Sequence, residues 1–153
     1  MHSRTVVMVC TANQCRSPMA EYLLRHRLGK NSGWNVISAG ISALDGLRAT
    51  RHAVDAMADM GIDISSHKAQ LLTDDVIDSA DVIITMTRWQ RDDIVCRYPR
   101  STEKVFTLGG IANGSAGRDI DDPMGMTGDD YRQTRDEIDE MMPDVVLFLR
   151  GHG

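Results

Sequence analysis

The chain has 153 residues, 42% hydrophobic and 25% charged, which suits one globular domain spanning 1–153 with an adequate core. Its 17 basic against 22 acidic residues give a net charge of -5, which speaks against generic binding to nucleic acid or to an anionic membrane. No stretch approaches transmembrane length, and three cysteines without metal-site or CxxC spacing point to a reducing cytoplasm, not a disulfide framework.

In chain order, residues 5–10 read as a buried strand built on Val6, Val7, Met8 and Val9. Ser17 and Pro18 read as the N-cap and first position of a helix that carries Met19, Tyr22 and Leu23 to about Leu28. Residues 29–33 break it, and 35–39 form a second strand ending at Gly40. Thr50 caps a second helix with Ala53, Val54, Met57 and Met60 at helical spacing, stopped by Gly61. Thr73 opens a short helix through Val76 and Ile77.

Residues 81–86 hold the run Val82, Ile83, Ile84, an interior strand of a parallel sheet. A helix over 89–98, a fourth strand over 104–108 and a Gly- and Asp-rich loop over 109–128 follow. A last helix starts near Asp129, and Pro143 is expected to kink or divide it unless a new turn starts there. The alternation predicts an α/β fold: an open sheet with helices on both faces.

The chemistry concentrates between Cys10 and Ser17. Backbone N–H groups of Thr11, Ala12, Asn13, Gln14 and Cys15 can point inward in a tight loop and form an anion nest. The helix that follows adds its unpaired N–H groups and the positive end of its dipole. Arg16 adds a planar fork that grips two oxygens of one phosphoryl group. The same field favours the thiolate of Cys10, the form that attacks phosphorus, and Ser17 can donate a hydrogen bond to it. Asn13 is the loop residue best suited to a left-handed backbone. A cysteine closing an apolar strand is more often a small core residue. The strand before, the Ser-Pro helix start after and the absence of bulky apolar residues inside the loop favour chemistry.

Residues 9–21 closely resemble the signature of low-molecular-weight protein tyrosine phosphatases. The likeness extends to Ser38-Ala39-Gly40, His67-Lys68-Ala69 and Asp122-Pro123. It implies a three-layer αβα fold with a four-stranded parallel sheet of the flavodoxin-like kind, with the first loop at the carboxyl end of the first strand. It implies Cys10 as nucleophile through a phosphocysteine intermediate, with Arg16 and the loop amides on the phosphoryl oxygens. Asp122 would be general acid and then base, with no metal or cofactor and a phosphorylated protein or peptide as partner. Asp121 is the positional rival, and either acid could be a turn residue. His67 is either an orderer of the loop through Asn13 or Ser17, as the resemblance suggests, or a surface or capping residue. Cys15 is either a buried thiol under the loop or a partner that forms a reversible disulfide with Cys10.

Three positions bear on the substrate. Met124-Gly125 follow Asp-Pro where the family usually has aromatic residues, Leu44 stands on the opposite wall, and Gln14 replaces an aliphatic residue. Residues 10–11, 105–108 and 131–137 resemble the bacterial protein-arginine phosphatase branch, whose members typically have Thr at the Gln14 position. Phosphotyrosine is the first substrate reading and phosphoarginine the alternative. Thiol-coupled arsenate reduction needs two further downstream cysteines, and only Cys96 lies there.

Overall fold

Val6, Val7, Met8 and Val9 have no exposed surface, because their strand runs through the middle of the sheet and is covered on both sides. In the computed structural model, which describes residues 3–112 and 117–152, β1 (Arg4–Cys10) pairs in parallel with β2 (Trp34–Gly40) and with β3 (Val82–Thr85). β3 in turn pairs in parallel with β4 (Val105–Thr107), giving the strand order β2-β1-β3-β4. The four-stranded parallel sheet expected from the sequence is therefore present.

Alternate residues of β1 feed two cores. Val6 and Met8 pack with α1 (Arg16–Leu28), α2 (Arg51–Ala58) and α6 (Gly128–Gly151). Val7 and Val9 pack with Ile77 of α3 (Asp74–Ser79) and Ile94 of α4 (Arg88–Arg97) on the other face. Met19, Leu23 and Leu24 of α1 are fully or almost fully buried, and burial of each such side chain contributes about 1.5–3 kcal/mol. The chain leaves β1 toward β2 on one side and reaches β3 and β4 on the other. The crevice at the carboxyl ends of β1 and β3 is therefore the topological switch point, where open α/β sheets place ligands.

Thr50, Thr73 and Thr87 cap α2, α3 and α4 through their side chains, the first two as expected. Four local expectations fail. Helix α1 starts at Arg16 with Cys15 at its N-cap, because the Ser17 hydroxyl is engaged by Cys10 and Asn13 and caps nothing. The fourth strand is shorter than expected: Pro99–Lys104 form a 3-10 helix and Leu108 opens α5 (Leu108–Ile111). That helical turn occupies the start of the expected loop 109–128, of which 113–116 lie outside the described residues. Pro143 does not divide α6, which runs unbroken because Ile138, Met141, Met142, Val145 and Val146 hold it against the core on both sides of the proline.

Candidate active site

Cys10 ends β1, and the chain then turns tightly enough that α1 begins six residues later. The turn is made possible by Asn13, whose φ of 58° is the one positive value at a non-glycine among the described residues. Left-handed backbone at this position turns the Asn13 N–H back onto Cys10 Sγ at 3.3 Å. The Ser17 hydroxyl lies 2.9 Å from the same sulfur. Ser17 Oγ accepts from Asn13 Nδ2 at 2.8 Å, so its own proton is free for Cys10.

Every side of the loop is held. The Cys10 and Thr11 carbonyls accept from Ile41 and Ser42 N–H, and the Gln14 carbonyl accepts from Thr50 N–H. Fully buried Asn13 also donates to Ser38 Oγ at 2.9 Å and accepts from Gln70 N–H at 3.0 Å. His67 Nε2 donates to the Asn13 carbonyl at 2.8 Å, an acceptor that fixes the proton on that nitrogen. Of the two readings of His67, the loop-ordering one through Asn13 matches this contact. The Ser38 hydroxyl donates a hydrogen bond to the carboxylate of buried Glu21, which pairs with Arg25. Burial pushes the Glu21 carboxyl above its ordinary range, partly offset by Ser38, Arg25 and His67.

Gly40 lies beneath the turn. A Cβ there would stand 2.7 Å from the Thr11 carbonyl and 2.9 Å from Asn13 N, so only glycine lets β2 come this close.

Inside the turn, the N–H groups of Ala12, Gln14 and Cys15 take no protein acceptor among the described residues. Arg16 is 5% exposed, and its Nη1 donates to the Ile120 carbonyl at 2.9 Å. Its Nε is buried without a protein partner. Free amides, the N-terminus of α1 and a held guanidinium together can receive a tetrahedral oxyanion facing Cys10.

Asp122 Oδ2 is 3.6 Å from Arg16 Nη2, and its Oδ1 accepts from Met124 N–H at 3.0 Å. Asp121 shares with Asp122 a cleft of about 130 Å³ against α6, and no contact joins it to Arg16. The segment carrying both acids is tied to the end of β3 by Ile120 N–H on the Met86 carbonyl, and to α4 by Asp119 on Arg88.

Cys15 points away from Cys10's hydrogen-bond partners, toward Tyr131 Oη at 3.4 Å and Thr50 Oγ1 at 3.6 Å. Burial pushes its thiol up, partly offset by those two bonds, and Tyr131 is pushed up to about 12 by burial and by Cys15. Gln14 Nε2 donates to the Arg48 carbonyl at 2.9 Å, which leaves its Oε1 free. Met124, Met126, Leu44 and Leu47 are exposed.

Sequence reading missed Gln90. Its Oε1 accepts from Met86 and Thr87 N–H, and its Nε2 donates to Thr11 Oγ1 at 3.2 Å, joining the β3–α4 turn to the first loop. The signal was available: Thr87-x-x-Gln90 is a capping-box pattern. Glu21 and Gln70 were missed as well, since their roles exist only through Ser38 and Asn13.

The family model of low molecular weight phosphotyrosine protein phosphatase matches residues 5–150. A protein-arginine-phosphatase of Bacillus subtilis (strain 168) is 41% identical over 148 residues, covering 95% of this chain and 96% of its own. A probable low molecular weight protein-tyrosine-phosphatase of Ralstonia solanacearum is 48% identical over 120 residues, 78% of each chain. The solved arginine phosphatase of Geobacillus stearothermophilus superposes with a TM-score of 0.89 at 34% identity, over 97% of this chain and 94% of that one. Since the match spans the first loop, the sheet and the Asp-Pro segment together, the chain belongs to the low molecular weight phosphotyrosine protein phosphatases, a family of hydrolases.

Proposed function

We propose that the chain is a single-domain protein phosphatase that hydrolyses phosphotyrosine through a phosphocysteine intermediate. The observation that carries the chemistry is the pair of donors on Cys10 Sγ, the Asn13 N–H and the Ser17 hydroxyl, at the mouth of a loop whose other amides are free. Both donors stabilise sulfur as an anion, first as the attacking thiolate and again as the leaving group when phosphocysteine is cleaved.

In the first step Cys10 Sγ attacks phosphorus, and the bond from phosphorus to the leaving oxygen breaks. Thr11, Ala12, Asn13, Gln14 and Cys15 supply the loop around the phosphoryl oxygens, and Arg16 Nε is the donor left for them. Arg16 cannot swing away, since Ile120 and Asp122 hold its far side. Asp122 donates a proton to the departing oxygen. In the second step it takes a proton from the water that attacks phosphocysteine, and the cysteine leaves as thiolate. Asp122 is preferred to Asp121 because it alone of the two contacts Arg16. A methionine and leucine rim gives an aryl group apolar contact without ring stacking, which forgoes about 0.5–1.5 kcal/mol per aromatic pair.

Phosphoarginine is the second reading, and Gln14 is what favours it. The free Oε1 can accept from a guanidinium N–H, and the amide nitrogen is already fixed on Arg48. Arsenate reduction is not favoured: beyond Cys10 and Cys15 the chain has only exposed Cys96, so a two-thiol relay is missing. The test compares kcat/KM for phosphotyrosine, phosphoarginine and phosphoserine peptides on one preparation. A clear preference for the phosphotyrosine peptide is expected, and a preference for phosphoarginine replaces this reading with the second. Turnover retained by Cys10→Ser would remove the nucleophile from both.

A further inference from the structure

A cavity of about 220 Å³ lies between α1, β2 and the segment 66–70 that holds Asn13. Its one acid, Glu21, has both carboxylate oxygens engaged, one by the Ser38 hydroxyl and the other by Arg25. Not all the donors around it are engaged. Arg25 commits Nε and Nη2 to the Val36 carbonyl and to Glu21, leaving Nη1 without a protein partner among the described residues. The Lys68 ammonium and the Ser66 hydroxyl, which also line the cavity, have none there either. With His67 Nε2 committed to Asn13, Nδ1 is the ring nitrogen left for the cavity. His67 is only 6% exposed, while Arg25, Ser66 and Lys68, which also line the cavity, are exposed.

Arg25 offsets Glu21, so with Lys68 the cavity lining carries one net positive charge, beside a hydroxyl and an imidazole, in a chain whose net charge is -5. Donors of both charged and neutral kinds converging on one recess suit an anion with several oxygens. We propose that this cavity is an effector site for a small tetrahedral oxyanion, separate from the phosphate loop, and that filling it strengthens anion binding at the loop.

The path between the two sites is short. Lys68 stands between His67, which donates to the Asn13 carbonyl, and Gln70, whose N–H donates to Asn13 Oδ1. An oxyanion bridging Lys68 to Arg25 ties segment 66–70 to α1 and so steadies both donors. Asn13 is then held in the left-handed conformation that aims its own N–H at Cys10. Coupling of this kind is reciprocal: an anion at the loop must favour an anion in the cavity by the same factor.

Phenylphosphonate, an aryl-bearing ligand too large for a site that takes a small free oxyanion, first saturates the phosphate loop, so that the loop no longer competes for the probe. Inorganic sulfate is then titrated in while the imidazole nitrogens are followed by ¹⁵N NMR. The expected result is a saturable shift of the His67 imidazole nitrogens, with phenylphosphonate bound about fivefold more tightly, the lower end of typical allosteric coupling. Lys68→Glu should abolish both effects and leave sulfate-free turnover of an aryl phosphate unchanged. A His67 signal that ignores sulfate, or that responds equally in Lys68→Glu, overturns the site. Phenylphosphonate affinity that stays constant while the His67 signal responds to sulfate overturns the coupling. Neither reading depends on which phosphorylated residue is the substrate.

Discussion

Replacing Asn13 by alanine and, separately, by glycine separates the two things this residue does. It supplies a left-handed backbone at φ 58° and, fully buried, it links Ser17, Ser38 and Gln70 through one amide. Alanine at positive φ carries a steric penalty of about 1–2 kcal/mol. It also leaves the Gln70 N–H without its acceptor, and an unsatisfied buried donor costs about 1–3 kcal/mol. The total is about 2–5 kcal/mol, which at roughly 2–4 °C per kcal/mol for a chain of this size lowers the melting temperature by about 4–20 °C. Glycine loses the same hydrogen bonds and avoids the steric penalty, at about 0.5–1 kcal/mol of backbone entropy. The balance favours glycine by about 0–1.5 kcal/mol, so Asn13→Gly should melt about 0–6 °C above Asn13→Ala, followed by circular dichroism. Vanadate affinity should fall in both, and further in the alanine variant. A glycine variant that melts below the alanine one refutes the backbone argument. Parent-like melting of both refutes the claim that Asn13 is the hub of the loop.

Gly40→Ala drives a methyl into the Thr11 carbonyl and Asn13 N, so it should cost about 1–3 kcal/mol and weaken vanadate binding; unchanged binding would mean the loop yields freely. Asp122→Ala should slow turnover of substrates with poor leaving groups far more than good ones, and an equal loss across a series of aryl phosphates points to a positioning role through Arg16. Because burial raises the Glu21 carboxyl in the fold, its contribution is fullest at acid pH and is lost as pH rises from its ordinary 4.5 through the raised value. The stability of Glu21→Gln relative to the parent should thus improve between pH 4 and pH 7, and a thermal-melt difference that moves the other way refutes the assignment. Burial also raises the Cys15 thiol, so iodoacetamide near neutral pH should label exposed Cys96 and spare Cys15, read by peptide mass spectrometry. Equal labelling of the two contradicts it, and the same method after peroxide shows whether Cys10 and Cys15 join.

What the residues determined by themselves is local. The period of Val6, Val7, Met8 and Val9, the run Val82, Ile83, Ile84 and the threonine caps place strands and helices in an order that has few topological solutions, and the parallel sheet follows. The first loop was legible for the same reason: Cys10, Asn13, Arg16 and Ser17 lie within one turn, and their chemistry is a matter of adjacency. Where a helix begins was less legible, as at Ser17, because a hydroxyl that could cap was claimed by a sulfur. Pro143 shows the opposite conflict, a local breaker overruled by packing on both sides of it.

Only the tertiary structure decided what converges on the loop from elsewhere. Asp122 reaches Arg16 from more than a hundred residues away because Ile120 is pinned to the end of β3. Gln90, His67 with Gln70, and Ser38 belong to three separate segments, and each residue becomes functional only through one hydrogen bond to Thr11 or Asn13. A hydrogen bond depends on distances within a few tenths of an ångström, and sequence spacing carries no such information across a folded chain.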